Sequence, residues 1–174
     1  MIVIYVILGL IALILIIAAL IGTAWNIERS VVINAPGEKV WANANSLHAL
    51  NTWNPWMAKD PEINIEYSGN DGTPGAKFTW ISREKNVGEG SQTIVSISDR
   101  SEIISRVDFV KPFAGTGNAF LRLSPEGNST KATWRMESST PYPMNFIKLF
   151  GVIEKNMNKD FNNGLNKLKA LSEG

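Results

Sequence analysis

The sequence predicts an α+β protein in which a curved, seven-stranded antiparallel sheet wraps around one long C-terminal helix. Three observations lead to this fold. Apolar residues recur every three or four positions from Pro143 to Leu171, which is the stripe of an amphipathic helix. Between residues 62 and 137, six segments alternate apolar and polar residues, as strands with one wet face do. A further strand and two short helices precede them, after an uncharged N-terminal run.

The N-terminal run, Ile2 to Ile21, contains no charged residue, and fifteen of its positions are Ile, Leu or Val. As a helix it would be roughly 30 Å long, the thickness of the hydrocarbon core of a bilayer. A cleaved signal peptide has a basic start and a shorter apolar run, whereas the first Lys or Arg here is Arg29. We therefore predict a retained single-pass transmembrane anchor over residues 1–25 and one domain over residues 26–174. Arg29 and Lys39 follow the run, which favours a cytoplasmic domain under the positive-inside rule.

The domain begins with a strand and two short helices. Glu28 to Ile33 alternates in the manner of a strand, and the segment Asn34–Glu38 then breaks the pattern. This segment is expected to start a short helix that runs through Trp41, and Leu47 to Trp56 is expected to form a second short helix or turn.

The six following strands are predicted from their period of two. A sheet of seven strands must curl to hide one face, and the last helix is the one element large enough to fill its concave side. The residues expected to point inward are Ile63, Ile65, Tyr67, Ala76, Phe78, Trp80, Ile103, Ser105, Val107, Phe109, Ala119, Leu121, Leu123, Ala132, Trp134 and Met136.

Composition excludes several classes of function. The formal net charge of +1 gives no reason to expect a nucleic-acid partner. The chain has no cysteine and a single histidine, His48, so thiolate and multi-histidine metal sites are impossible and no cofactor is predicted. The spacing suggests no partner carboxylate for His48, which is expected to have a surface or capping role, and no catalytic residue is predicted. Gly88-x-Gly90 and Gly115-x-Gly117 lack the pattern of a phosphate-binding loop.

Large aromatic and methionine side chains on the predicted inner faces are candidates to line an apolar cavity between the sheet and the helix. The alternative is that the same side chains fill the core completely. The methionines favour the cavity interpretation because their flexible side chains repack easily around different ligands. The segment 112–117 and the turn 141–143 are expected to form the mouth. The ten candidate ligand-binding residues are Trp53, Trp56, Phe78, Trp80, Phe109, Phe113, Trp134, Met136, Phe150 and Met157.

Several motifs, in this order, resemble the START-like or SRPBCC superfamily, which includes polyketide cyclase/dehydrase proteins and the birch-pollen allergen. The resemblance covers about residues 26–172 and excludes the N-terminal run. The residues that carry it are Ile33–Trp41, Trp53-Asn54-Pro55-Trp56, Gly88-Glu89-Gly90, Lys111-Pro112-Phe113, Gly127 to Trp134 and the closing helix.

The resemblance implies a helix-grip fold with a cavity that binds lipids, sterols, polyketides or other apolar molecules. It gives no universal catalytic residue. The predicted function is therefore a membrane-anchored binding module for a lipid or another apolar small molecule, acting as a carrier or sensor. One alternative is an enzyme of the aromatase/cyclase type that uses the same cavity. The other is an interaction domain with a filled core.

Overall fold

The structure is a computed structural model that describes residues 1–174, apart from the side chain of Val152. An apolar helix, α1 (Ile2–Leu20), precedes the domain, and Ala18 is its buried residue. This helix is long and apolar enough to cross a membrane, by length and composition. One such helix near the N-terminus is therefore present, where the sequence predicted it.

The sheet has the seven antiparallel strands that the alternation predicted. In space their order is β1-β7-β6-β5-β4-β3-β2, so the first strand lies beside the last and the others follow as a meander. The first strand begins at Ala24, four residues before the predicted start, because Trp25 and Ile27 continue its inward-facing alternation. The strands are β1 (Ala24–Ile33), β2 (Asn64–Ser68), β3 (Lys77–Ile81), β4 (Glu89–Ser98), β5 (Glu102–Lys111), β6 (Gly115–Glu126) and β7 (Ser129–Ser139).

Two short helices, α2 (Gly37–Ala42) and α3 (Leu47–Trp53), connect β1 to β2. The hydroxyl of Ser46 caps α3 by accepting a hydrogen bond from the backbone N–H of Ala49 at 3.1 Å. The indole N–H of Trp53 donates to the carbonyl of Asn43 at 2.9 Å, which ties the two helices together. This pair of helices is the one that the sequence predicted after the first strand.

The C-terminal helix differs from the prediction at its start. The helix α4 runs from Val152 to Glu173, and the preceding residues Met144–Phe150 form a separate 3-10 helix. Gly151 separates the two with a φ of 60°, a left-handed conformation that glycine adopts without steric cost. The prediction of one continuous helix from Pro143 was therefore wrong.

The gripping arrangement itself is confirmed, because α4 lies in the concave face of the sheet. Phe161, Leu165 and Leu168 on the apolar stripe of α4 are each at most 1% exposed. They join one core with inward-facing strand residues such as Ile94 and Ile103. The core fills the grip near the C-terminal end of α4 and continues into the walls of the cavity described below, which lies towards the other end of the helix.

Candidate functional site

A cavity of about 320 Å³ lies between the concave face of the sheet and the N-terminal half of α4. Its floor is formed by side chains from β1 and from β3 to β7, its roof by α4, and its rim by the loops that precede β2, β4 and β6. The lining residues are Trp25, Asn54, Trp56, Met57, Phe78, Trp80, Asn86, Val87, Gln92, Val107, Phe109, Lys111, Pro112, Phe113, Ala119, Trp134, Met136, Ile153, Met157 and Phe161.

Eight of the ten residues predicted from the sequence lie in this lining, and two do not. Trp53 is fully buried behind the wall, with its ring edge-to-face against Trp134 at 5.0 Å between centroids. Phe150 is 69% exposed at the end of the 3-10 helix. Because Gly151 ends that helix, the stripe of α4 does not extend back to Phe150. The eight residues in the lining are Trp56, Phe78, Trp80, Phe109, Phe113, Trp134, Met136 and Met157.

An aromatic cluster forms the wall beneath α4. Trp134 on β7 stacks on Phe161 of α4, with centroids 4.2 Å apart and planes at 10°. Trp56 meets both rings edge-to-face. Gly164 permits this contact, since a Cβ there would lie 2.9 Å from Cζ3 of Trp134. Each aromatic pair of this kind contributes about 0.5–1.5 kcal/mol to stability beyond the effect of its buried area, so these contacts stabilise the wall.

A second group of rings lines the opposite side of the floor. Phe78 and Trp80 lie on the inner face of β3, with centroids 5.6 Å apart, and Trp80 meets Phe109 of β5 edge-to-face at 6.3 Å. Gly90 lies between Trp80 and Phe109 in the register of the sheet. A Cβ on Gly90 would lie 2.6 Å from Cζ2 of Trp80, so a residue without a side chain is needed for the indole to cross β4. The Gly88-x-Gly90 motif therefore has a packing role.

Polar groups in the lining are few. Gln92 on β4 lies between Phe78 and Val107 in the register, one step further from the mouth than Trp80 and Phe109. Among the described residues, none is hydrogen-bonded to the Gln92 side-chain amide. This amide offers both a donor and an acceptor on an otherwise apolar floor. The other polar lining residues are Asn54, Asn86 and Lys111, all on the rim.

The mouth is formed in part by the segment that the sequence indicated. Pro112 and Phe113, in the turn between β5 and β6, line the cavity, and Phe113 is 70% exposed. Lys111 beside them forms an ion pair with Glu89, with Nζ and Oε1 2.7 Å apart. The turn 141–143, also expected at the mouth, contributes no lining residue, because it leads into the 3-10 helix instead.

Sequence reasoning missed several lining residues. For two of them, the alternation along the strand indicates the inner face. Trp25 was included in the predicted anchor over residues 1–25, although its alternation with Ile27 and Arg29 places it on the inner face of β1. Gln92 lies two positions from Ile94 and hence on the same face of β4, but its polarity weakened the pattern there.

His48 has the partner that the spacing did not suggest. Its Nδ1 lies 2.5 Å from Oδ2 of Asp71, and its ring stacks on Tyr67 at 3.7 Å. Burial acts to raise the pKa of Asp71, but hydrogen bonds from His48 and from the backbone N–H groups of Leu47, His48 and Gly72 outweigh it, so the pKa is lowered. The expectation of no partner carboxylate was wrong, because Asp71 reaches His48 through the loop before β3. Neither residue lies in the cavity lining.

Within the part of the chain that the structure describes, acidic and histidine side chains do not assemble into a metal site. No group of three or more His, Asp or Glu residues with the required proximity occurs in the described part of the chain. The chain as a whole has no cysteine.

Solved structures with the same fold have low sequence identity to this chain. A crystal structure from Chromobacterium violaceum has 17% identity, covers 86% of this chain and 97% of its own, and has a TM-score of 0.60. A Thermobifida fusca protein solved by NMR has 19% identity, coverages of 84% and 94%, and a TM-score of 0.60. The crystal structure of Ara h 8.0201 has 12% identity, coverages of 84% and 99%, and a TM-score of 0.57. At such identities the likeness shows the shared fold.

A sequence family also matches most of the chain. No curated protein gives a match. The family described as polyketide cyclase / dehydrase and lipid transport matches residues 24–173, which is the whole sheet together with α4. The chain therefore belongs to the polyketide cyclase/dehydrase and lipid transport family.

Proposed function

We propose that the protein is a membrane-anchored module that binds a lipid or another apolar small molecule, as a carrier or sensor. The cavity is the observation that carries this proposal. Its volume of about 320 Å³ falls in the range of about 300–1,000 Å³ found for ligand pockets. Rings, aliphatic side chains and methionines form most of its lining, and the family to which the chain belongs includes lipid transport.

The helix α1 supports the anchoring part of the proposal. It is almost entirely exposed in the folded chain, although it consists of apolar residues. Leaving that surface in water would be unfavourable by about 25 cal/mol per Å², whereas a bilayer removes it from water. The basic residues Arg29 and Lys39 on the domain side favour the cytoplasmic face of the membrane.

Gln92 is the group best placed to orient the ligand. Its amide lies among Phe78, Val107 and the other apolar lining residues, where no described side chain satisfies it. A ligand with one hydroxyl, carbonyl or carboxyl group would pair with it while the rest of the molecule contacts rings and methionines. The proposed ligand is therefore an amphiphile with a single small polar group.

Two alternatives have less support. An aromatase/cyclase activity needs a group that moves protons, and the described lining residues include no Asp, Glu or His. The ammonium group of Lys111 is exposed at the rim and paired with Glu89. A filled core that serves a protein interaction is disfavoured by the cavity itself.

Native mass spectrometry of the full chain, released from detergent micelles, tests the binding function. We expect a mass increment of one ligand per chain, and organic extraction should yield that compound. Fatty acids, sterols and a polyketide-like aromatic acid should also be titrated into delipidated protein. If none of them binds and none co-purifies, the binding proposal fails. Anchoring is tested separately, since the chain should stay in the membrane pellet after a carbonate wash.

A further inference from the structure

The end of α1 is fixed to the domain by a buried side chain. Asn145, in the 3-10 helix, is 1% exposed. Its Nδ2 donates to the carbonyls of Ala18 and Ile21, each at 2.8 Å. The last four carbonyls of a helix lack partners within the helix, so Asn145 satisfies groups that would otherwise be unpaired where α1 ends.

Lys148, one turn further along the 3-10 helix, continues this connection. Its Nζ donates to the carbonyls of Gly22 and Ala24, each at 2.6 Å. Together the two side chains hold the segment from the last turn of α1 to the first residue of β1. The anchor and the domain are therefore joined by a packed joint and not by a free linker.

This joint sets the depth of the 3-10 helix. If α1 crosses the bilayer, its last turn lies at the boundary between hydrocarbon and headgroups, because its length of roughly 29 Å only just spans the hydrocarbon core. The 3-10 helix is bonded to that turn and lies at the same depth. Leu149 and Phe150 at its end are 60% and 69% exposed. Large apolar side chains are favoured at this depth and are unfavourable in water.

The cavity opens at the same end of the domain. The register of the sheet places four strand termini at one end of the sheet. They are the first residues of β1 and β6 and the last residues of β5 and β7. The turn between β5 and β6 carries Phe113, which is exposed and lines the cavity. Ile153 and Met157, in the first turns of α4, follow directly after the 3-10 helix and form the roof.

We propose that this end of the domain lies on the bilayer surface, with Phe113, Leu149 and Phe150 among the lipid headgroups and the mouth opening towards the lipid. This docking surface consists of the 3-10 helix and the turn between β5 and β6. The occupant is the membrane, because the joint with α1 brings the surface to the headgroup region. The proposal rests on the proposed function and adds that the ligand is taken from the bilayer without passing through bulk water.

Depth measurements on the full chain test this docking. Because the chain has no cysteine, a single cysteine can carry a spin label after Phe113→Cys or Leu149→Cys. The control is Asn128→Cys, in the exposed turn between β6 and β7 at the opposite end of the sheet. Each variant is reconstituted in vesicles of phosphatidylcholine and phosphatidylglycerol. Relaxation by oxygen, which concentrates in lipid, is compared with relaxation by a water-soluble nickel chelate.

The labels at positions 113 and 149 should be relaxed more by oxygen than by nickel, and the label at 128 more by nickel. Equal exposure to nickel at all three positions would overturn the proposal. Spin–spin broadening at 149, with little access for oxygen, would also overturn it, because a second copy would then cover the surface.

Ligand transfer supplies a second test. Leu149→Asp places a charge on the docking surface outside the cavity lining, and Leu171→Asp is the matched control at the far end of α4, where the side chain is 43% exposed. Leu149→Asp should slow transfer of a fluorescent fatty acid to acceptor vesicles by about tenfold, with unchanged affinity in detergent. An unchanged transfer rate would overturn the docking. If the wild-type protein does not bind the fatty acid at all, the proposed function is overturned instead.

Discussion

Replacing Ala119 with phenylalanine should fill the cavity from within. Ala119 lines it from β6, between Ser105 of β5 and Met136 of β7 in the register. An apolar cavity of about 150 Å³ holds a benzene ring, so a volume of about 320 Å³ has room for one phenyl group. We therefore expect A119F to fold, with a free energy of unfolding equal to that of the wild type or up to about 2 kcal/mol higher.

The same substitution should remove most of the ligand affinity. A phenylalanine side chain buries about 150 Å² or more, and apolar contact is worth about 25 cal/mol per Å². If the ligand can no longer bury that area, its binding free energy weakens by roughly 4 kcal/mol. The dissociation constant then rises by about three powers of ten.

Fluorescent fatty acid titration of the full chain in detergent measures the affinity of A119F, and thermal denaturation of the same samples reports the fold. Ala170→Phe is the control, because it adds the same ring at an exposed position of α4. A folded A119F that binds within about threefold of the wild type would refute the assignment of the ligand to this cavity.

Five other substitutions probe different parts of the chain. Gln92→Leu removes the donor and acceptor on the floor, so competition titrations should show a loss of about tenfold for a fatty acid and little change for a hydrocarbon of the same length. Trp134→Ala should lower the free energy of unfolding by about 3–5 kcal/mol in urea denaturation, whereas Phe150→Ala, on the surface, should change it by less than about 0.5 kcal/mol. His48→Ala should leave ligand affinity unchanged, because the pair with Asp71 lies outside the lining. The pKa of Asp71 is lowered on folding, so its contribution to stability is complete above about pH 4 and is lost as the pH falls through the folded pKa. Asp71→Asn should therefore flatten the loss of stability in urea titrations below about pH 4.

The sheet was predictable because its signal is local. Phe78 and Trp80 alternate with Lys77 and Thr79, and a period of two fixes which side chains face the core before any partner strand is known. The break at Gly151 was not predictable in this way. Phe150 continues the helical spacing of the stripe, and the hydrogen bonds of Asn145 to α1 join residues more than 120 positions apart.

The division between core and cavity is likewise a tertiary property. Trp53 and Trp56 are three residues apart and chemically identical, yet the first is buried behind Trp134 and the second lines the cavity. A sequence pattern gives the face of a side chain, but whether space remains in front of it depends on elements from elsewhere in the chain. In the same way, the pairing of His48 with Asp71 depends on how a loop closes and not on spacing.

The affinity that apolar burial provides agrees with a site beside a membrane. A ligand that buries about 300 Å² gains roughly 7 kcal/mol, and the cost of association removes several of these. The resulting dissociation constant from apolar burial alone is about millimolar, which is weak for a ligand drawn from water but sufficient where an apolar ligand is concentrated in the adjacent bilayer. In the docking proposed above, the joint formed by Asn145 and Lys148 keeps the mouth next to that reservoir. Weak binding also allows rapid release, so a carrier held in this position gains more from its placement than it would from tighter contacts.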